Sequence, residues 1–173
     1  MKTITAKPVT ESNFQEFGQV MKKPERPLDI ETHWLRYWHD TVDLSNLEGL
    51  GMMGFMQMKR VPIICEKLLI LHNSIEMYLS LDGKPSIAFA APGDSKNPGK
   101  PDVEKLEAFI LENGAGIIVN PDIWHWSPFP LTEIADFALG LRNNIILRKG
   151  DGFDVNSEEI LYYDLEEPVG IDL

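Results

Sequence analysis

The chain has 173 residues, with 16 Lys+Arg against 27 Asp+Glu and a net charge of −11. At roughly 100–200 residues per domain this length predicts one domain over 1–173, with 151–173 as its acidic C-terminal segment. The acidic balance excludes nucleic acid, whose phosphates need clustered cations, and argues against an anionic membrane surface; 43% hydrophobic content excludes global disorder.

The first eight residues carry no apolar h-region, so no signal peptide is expected. The apolar runs are far shorter than the ~20 residues of a membrane helix, and a cytoplasmic protein follows as the expectation. Residues 10–20 predict a short helix, since Ser12 and Gln15 have capping-box spacing and Phe14, Phe17 and Val20 recur every three positions. Pro24 and Pro27 mark 22–27 as a loop. Strand character follows at 33–39, 51–59, 63–72, 77–81, 86–91, 106–111, 116–119, 123–127, 134–141, 145–148 and 160–163. The breaks are Asp82-Gly83, Pro92-Gly93-Asp94, Asn113-Gly114 and Lys149-Gly150-Asp151-Gly152, all turn-forming sequences. Residues 93–101 read as a mobile loop, and Asp102 is positioned to cap one helical turn. Many short strands with few helices predict an all-β sandwich or barrel. Alternation is weak at 86–91, which predicts a strand covered on both faces.

The single cysteine, Cys65, permits no internal disulfide, and its apolar setting predicts a small buried hydrophobe. The run Gly51-Met52-Met53-Gly54-Phe55-Met56 suits a dimer face or a core strand equally. Eight of the acidic residues and none of the basic ones lie from Asp151 onward, so residues 1–150 carry only −3. Such a run predicts a solvated tail or a partner-covering strand, and it leaves an anionic small molecule open as a substrate.

His72, Glu76 and Gly83 stand in H-x3-E-x6-G spacing, which resembles the second half of the first motif of the cupin superfamily. In a barrel, a His at one strand end and a Glu on the returning strand can face the same lumen, with Gly83 in the tight turn. Ile70 occupies the place of that motif's first His. A second motif is met in Asn120-Pro121-Asp122-Ile123-Trp124-His125. His72, Glu76 and His125 together would make a two-His-one-carboxylate set able to hold a divalent metal. The alternative is that His72 is an exposed strand end, Glu76 is solvated and His125 works, or packs, without metal.

Longer stretches narrow the resemblance. Arg36-Tyr37-Trp38-His39-Asp40, Pro85 to Pro92, Pro101 to Phe109, Trp124-His125-Trp126-Ser127-Pro128 and Ala135-Asp136-Phe137, in this order, are similar to the ureidoglycolate hydrolase/lyase family of allantoin catabolism, over about residues 10–160. Asn120-Pro121 and Leu141 depart from its pattern, as does the stretch 68–74. The resemblance implies a double-stranded β-helix (cupin-like barrel) with a few short peripheral helices, a homodimer, and cleavage of ureidoglycolate to glyoxylate and urea. That cleavage needs a base for the hydroxyl proton, an acid for the departing urea nitrogen and a cation for the carboxylate. His125 is the candidate base and Glu76 the acid or a metal ligand, with His72 beside them. Lys84 and Arg142 are candidates for the carboxylate, and Tyr78 and Trp124 for the pocket walls, although aromatics beside strands are more often core. Asp136, if buried, calls for a partner such as Arg142 or Arg36. His33 and His39 read as non-catalytic. The competing functions are a non-catalytic small-molecule-binding cupin and a metal-dependent cupin isomerase or oxygenase.

Overall fold

The computed structural model describes residues 1–27, 29–39, 41–45, 51–142 and 160–173. The chain runs β1 (Lys2–Pro8), α1 (Glu11–Phe14), β2 (Gly18–Met21), β3 (Ile30–Glu31), β4 (Arg36–Tyr37), β5 (Gly51–Lys59), β6 (Ile64–Leu71) and β7 (Glu76–Ser80). It continues as β8 (Ser86–Ala91), a 3-10 turn (Val103–Lys105), β9 (Glu107–Leu111), β10 (Gly116–Val119), β11 (Trp124–Pro130), β12 (Ile134–Arg142) and β13 (Ile160–Asp172). The predicted strand at 145–148, the turn at 149–152, Asp40 and the first part of the acidic segment lie outside the described residues.

Six strands close on themselves in the order β1-β13-β6-β11-β8-β9, and a five-stranded sheet, β2-β10-β7-β12-β5, packs against that ring. The expected all-β barrel with only short helical turns is therefore the architecture observed. Closure depends on β1, whose first half pairs in parallel with β13 and whose second half pairs in parallel with β9. The ring encloses one core, with Cys65, Leu68, Ile87, Phe89, Ala91, Phe129 and Val169. A second core lies between ring and sheet, with Phe14, Phe17, Tyr78, Ala88, Ala90, Phe109, Ile117 and Phe137. β8 serves both: Ile87, Phe89 and Ala91 face the ring interior while Ala88 and Ala90 face the sheet, so all six residues are buried and the alternation disappears. Cys65 is fully buried, and desolvation pushes its thiol up to about 12, which leaves it inert.

Several local expectations are corrected. The helix is a single turn whose capping box is Thr10–Asn13 rather than Ser12–Gln15, and the chain then extends along β10 as β2. The spacing of Phe14, Phe17 and Val20 reflects their convergence on one core rather than a continuous helix. The stretch 33–39 is broken into the β3–β4 hairpin, because Thr32 Oγ1 accepts from the Trp34 and Leu35 amides and turns the chain. Asp102 makes no cap; its carboxylate meets Lys105 Nζ at 3.3 Å. The loop 93–101 is tied by the Gly93–Pro101 bridge and by Asp94, which accepts from Lys96 and Asn97. Asp136 accepts from Gln57 Nε2 at 3.0 Å, while Arg36 pairs with Glu31. The final acidic stretch, where described, is a wall strand of the ring, with its carboxylates directed outward to partners such as Lys67 and the N-terminal ammonium.

Gly18 is required by backbone proximity: a Cβ there would lie 1.9 Å from the Ile118 carbonyl oxygen, on the neighbouring strand. Gly18→Ala is expected to lower the unfolding free energy by about 1–3 kcal/mol, measured by urea denaturation. Gly54→Ala, whose Cβ meets nothing nearer than 4.0 Å, is expected to leave the midpoint close to wild type.

Candidate active site

Two turns deliver the central side chains. The first, 72–75, precedes Glu76 at the start of β7; the second, 120–123, precedes β11. Asn73 and Asp122 hold left-handed backbone with φ of 60° and 63°, a conformation that short polar side chains tolerate. The Asp122 amide donates to the Leu71 carbonyl, and His72 Nδ1 meets Asp122 Oδ1, so the two turns are clasped together.

Beyond the clasp, Glu76 and His125 meet between the ring and the sheet, at 8% and 2% exposure. His125 Nδ1 lies 2.8 Å from the Ile123 carbonyl oxygen, which can only accept, so that nitrogen carries a proton. His125 Nε2 lies 2.8 Å from Glu76 Oε2, and that contact requires one further proton between them. The pair is either imidazolium with carboxylate or imidazole with carboxylic acid, and in both forms it holds one transferable proton. Tyr78, two residues along β7 from Glu76, places its ring edge-on to His125 at 6.3 Å and its hydroxyl 3.5 Å from Ser127 Oγ. Burial, with the Glu76 carboxylate beside it, pushes the Tyr78 phenol well above its ordinary value of 10. It remains a neutral hydroxyl at any pH at which the protein would work.

The other predicted residues are dispersed. His72 is engaged with Asp122 rather than with the pair. Trp124 points to the opposite face of β11, into the ring core against Tyr163. Lys84 is bound to Asp82 at 2.9 Å in the turn past Ser80, at the other end of β7, which puts its backbone roughly 13 Å or more from Glu76 at about 3.3 Å per strand residue. Arg142 ends β12 one position beyond the residue opposite Glu76, and by strand parity it follows Ala138 and Gly140 rather than the inward Leu139. Sequence reasoning missed Ser127, the Ile123 carbonyl, and Lys67, Trp126 and Tyr162, which line the cavity described next. The Trp-His-Trp-Ser run was the available signal for two of them.

That cavity has a volume of about 770 Å³. β11 pairs with β6 through one residue pair, His125 with Leu69, and past that point the two strands part. Ile64, Glu66 and Lys67 line one side of the opening, Trp126 and Phe129 the other, and Tyr162 and Asp164 of β13 complete it. β11 is irregular between Trp126 and Phe129, and β13 between Asp164 and Val169, so both strands bend at the opening.

The donor set does not complete a metal site. Glu76 and His125 offer two donor atoms, Ile70 is buried in the ring core, and His72 is held by Asp122. Among the described residues no group of three His, Cys, Asp or Glu side chains gathers at ligating distance. Protein metal sites of this type need at least three. No step below is routed through a metal.

The chain resembles known proteins along most of its length. A family model for ureidoglycolate lyase matches residues 1–162. A ureidoglycolate lyase of Burkholderia mallei (strain NCTC 10229) is 22% identical over 165 residues, covering 92% of this chain and 91% of that protein. One of Salmonella newport (strain SL254) is 25% identical over 134 residues, covering 75% and 81%. A solved structure of RmlC from Streptococcus suis in complex with dTDP-D-xylose overlaps 56% of this chain and 45% of its own at 8% identity and a TM-score of 0.42, too partial an overlap to carry an argument. The family match, spanning five of the six ring strands and the whole sheet packed on them, places this chain in the ureidoglycolate lyase family.

Proposed function

We propose that this chain splits ureidoglycolate into glyoxylate and urea, and that Glu76 and His125 move the protons. The observation that carries the reading is their buried 2.8 Å contact, in a chain of this family. The reaction takes a proton from the carbinol oxygen as the aldehyde forms and delivers one to the nitrogen as the C–N bond breaks. Nothing is oxidised and no proton is gained or lost overall. A pair holding one transferable proton suits this balance: the unprotonated member accepts from the hydroxyl, the protonated member donates to the urea nitrogen, and the pair keeps one transferable proton in its other form, which a shift along the 2.8 Å contact restores. The sequence reading of His125 as base and Glu76 as acid is one of the two equivalent starting forms. The Ile123 carbonyl fixes the ring so that only Nε2 exchanges. Tyr78, held neutral, sets its hydroxyl against Ser127 Oγ beside the pair, and His72 orders the turns that position it. Of the cations the sequence offered, Arg142 lies at this end of β12, one position beyond the residue opposite Glu76, and is the one we assign to the substrate carboxylate.

The same reading carries a single domain over 1–173 that works as a cytoplasmic homodimer. Its support is the edge strand β5, on which Met53 and Phe55 are 66% and 69% exposed, in a metabolic-enzyme family. Among the described residues no helix is long and apolar enough to cross a membrane.

His125→Ala and Glu76→Gln are each expected to lower kcat by 10²–10⁴-fold, with circular dichroism unchanged; turnover within threefold of wild type by glyoxylate release would remove that residue from the mechanism. For Tyr78 the folded state favours the neutral phenol. Its contribution to stability is therefore complete below about pH 10 and is lost as the pH rises through the elevated folded value. Tyrosinate absorbance is expected to show an ionisation well above the ordinary phenol value of 10, and Tyr78→Phe is expected to abolish that late step.

A further inference from the structure

Neither Glu76 nor His125 lines the cavity in the ring wall, which makes it a site separate from the proton-transfer pair. Its volume of about 770 Å³ lies within the roughly 300–1,000 Å³ of small-molecule pockets. Trp126, Phe129 and Tyr162 supply aromatic surface. Trp126 and Tyr162 meet edge to face, with centroids 6.4 Å apart and planes at 66°, and so form a corner. The charged side chains are Glu66, Lys67 and Asp164, two carboxylates against one ammonium. The lining is thus aromatic with an excess of negative charge.

One cation already sits in this lining. Lys67 Nζ lies 6.0 Å from the Tyr162 ring centroid and 3.2 Å from Asp164 Oδ1, held between an aromatic face and a carboxylate. The ring face and the carboxylate attract the same charge. The other half of the lining repeats the two components in Trp126, an indole that attracts cations more strongly than a phenol ring, and Glu66. Among the described residues no cation lies over Trp126 and Glu66 makes no ion pair. A neutral apolar guest would leave the Glu66 charge unused, and an anion would be repelled by it. A small hydrated cation would leave Val61, Ile64 and Phe129 facing water. An ammonium whose hydrogens are replaced by alkyl groups meets both conditions, since it carries the charge and covers the apolar wall. The chain's net charge of −11 favours the approach of such a cation.

We propose that this cavity binds a quaternary ammonium cation, with its charged head between Trp126 and Glu66 and its alkyl groups on Val61, Ile64 and Phe129. The site goes beyond the lyase reading and does not depend on it. The cation enters where β6 and β11 part, past the single pairing of His125 with Leu69. Lys67 stays with Asp164, so the lysine and the bound cation each keep a carboxylate.

The test titrates the purified full chain with choline and, separately, with its neutral isostere, in which carbon replaces the quaternary nitrogen. The readout is the indole N–H resonance of Trp126, identified by its loss in Trp126→Phe. Choline is expected to shift it saturably, with a Kd roughly fivefold below that of the isostere. Glu66→Gln, a change at an exposed position that leaves the fold intact, is expected to raise the choline Kd about two- to fivefold and to leave that of the isostere unchanged. Equal or tighter binding of the isostere overturns the proposal, as does the absence of a Trp126 response to choline. An equal response at the exposed Trp34 marks non-specific association and overturns the site. A preference for choline that Glu66→Gln leaves unchanged overturns the assignment of the charged head. Glyoxylate release is not the readout, so the lyase reading stands or falls separately.

Discussion

The hydrogen bond between Glu76 and His125 crosses an otherwise apolar layer, and the neighbouring structure is arranged around it. Removing one member of such a buried pair would strand the other at a cost of about 3–5 kcal/mol. The pair therefore fixes how the start of β7 faces the start of β11, across two different sheets. The clasp of His72 on Asp122 and the amide of Asp122 on the Leu71 carbonyl hold the two entry turns to the same geometry from outside. The Ile123 carbonyl does so from behind. An ionisable pair kept this dry is a costly way to build a core and a reasonable way to hold one mobile proton.

β11 carries the division of labour between the two cores. Trp124 fills the ring interior, His125 enters the layer between ring and sheet, and Trp126, still paired with Phe89 of β8, walls the cavity. Three consecutive residues thus enter a core, a buried polar pair and a cavity wall. An irregularity in the pairing of β11 with β8 follows Trp126, and on the other side the wall between β6 and β11 is paired at His125–Leu69 alone. Opening the wall costs ladder hydrogen bonds, and the ring tolerates this because β13 still pairs along β6.

Much of the architecture was legible in the sequence, for reasons that can be named. The uniform apolarity of 86–91 follows from a strand between two cores, and the Asp82-Gly83 break is a turn with Gly83 at φ 71°. β1 was missed although Ile4 and Ala6 alternate with Thr3, Thr5 and Lys7, because its meaning depends on partners more than a hundred positions away. In the site, Glu76 and His125 were recoverable from motif spacing. The roles of Trp124 and Lys84 were not, because facing depends on register and distance on strand direction: Trp124 is one residue from His125 yet points into the other core. A turn made by a threonine side chain, as at Thr32, carries no glycine or proline to announce it.

Ring closure has a consequence for how the chain is made. Lys2 and Val169 are parallel neighbours, 167 positions apart. At ribosomal rates of about 5–20 residues per second, the first strand waits on the order of 10 s for that partner to be synthesised. Throughout that interval the segment that will line the ring, with Ile87, Phe89 and Ala91, has no completed enclosure. Long-range pairing of this kind slows folding and leaves strand edges exposed to other chains. The barrel is thus most prone to aggregate while it is still being translated, and its solubility on overproduction is governed by the rate of synthesis as much as by the stability of the finished fold.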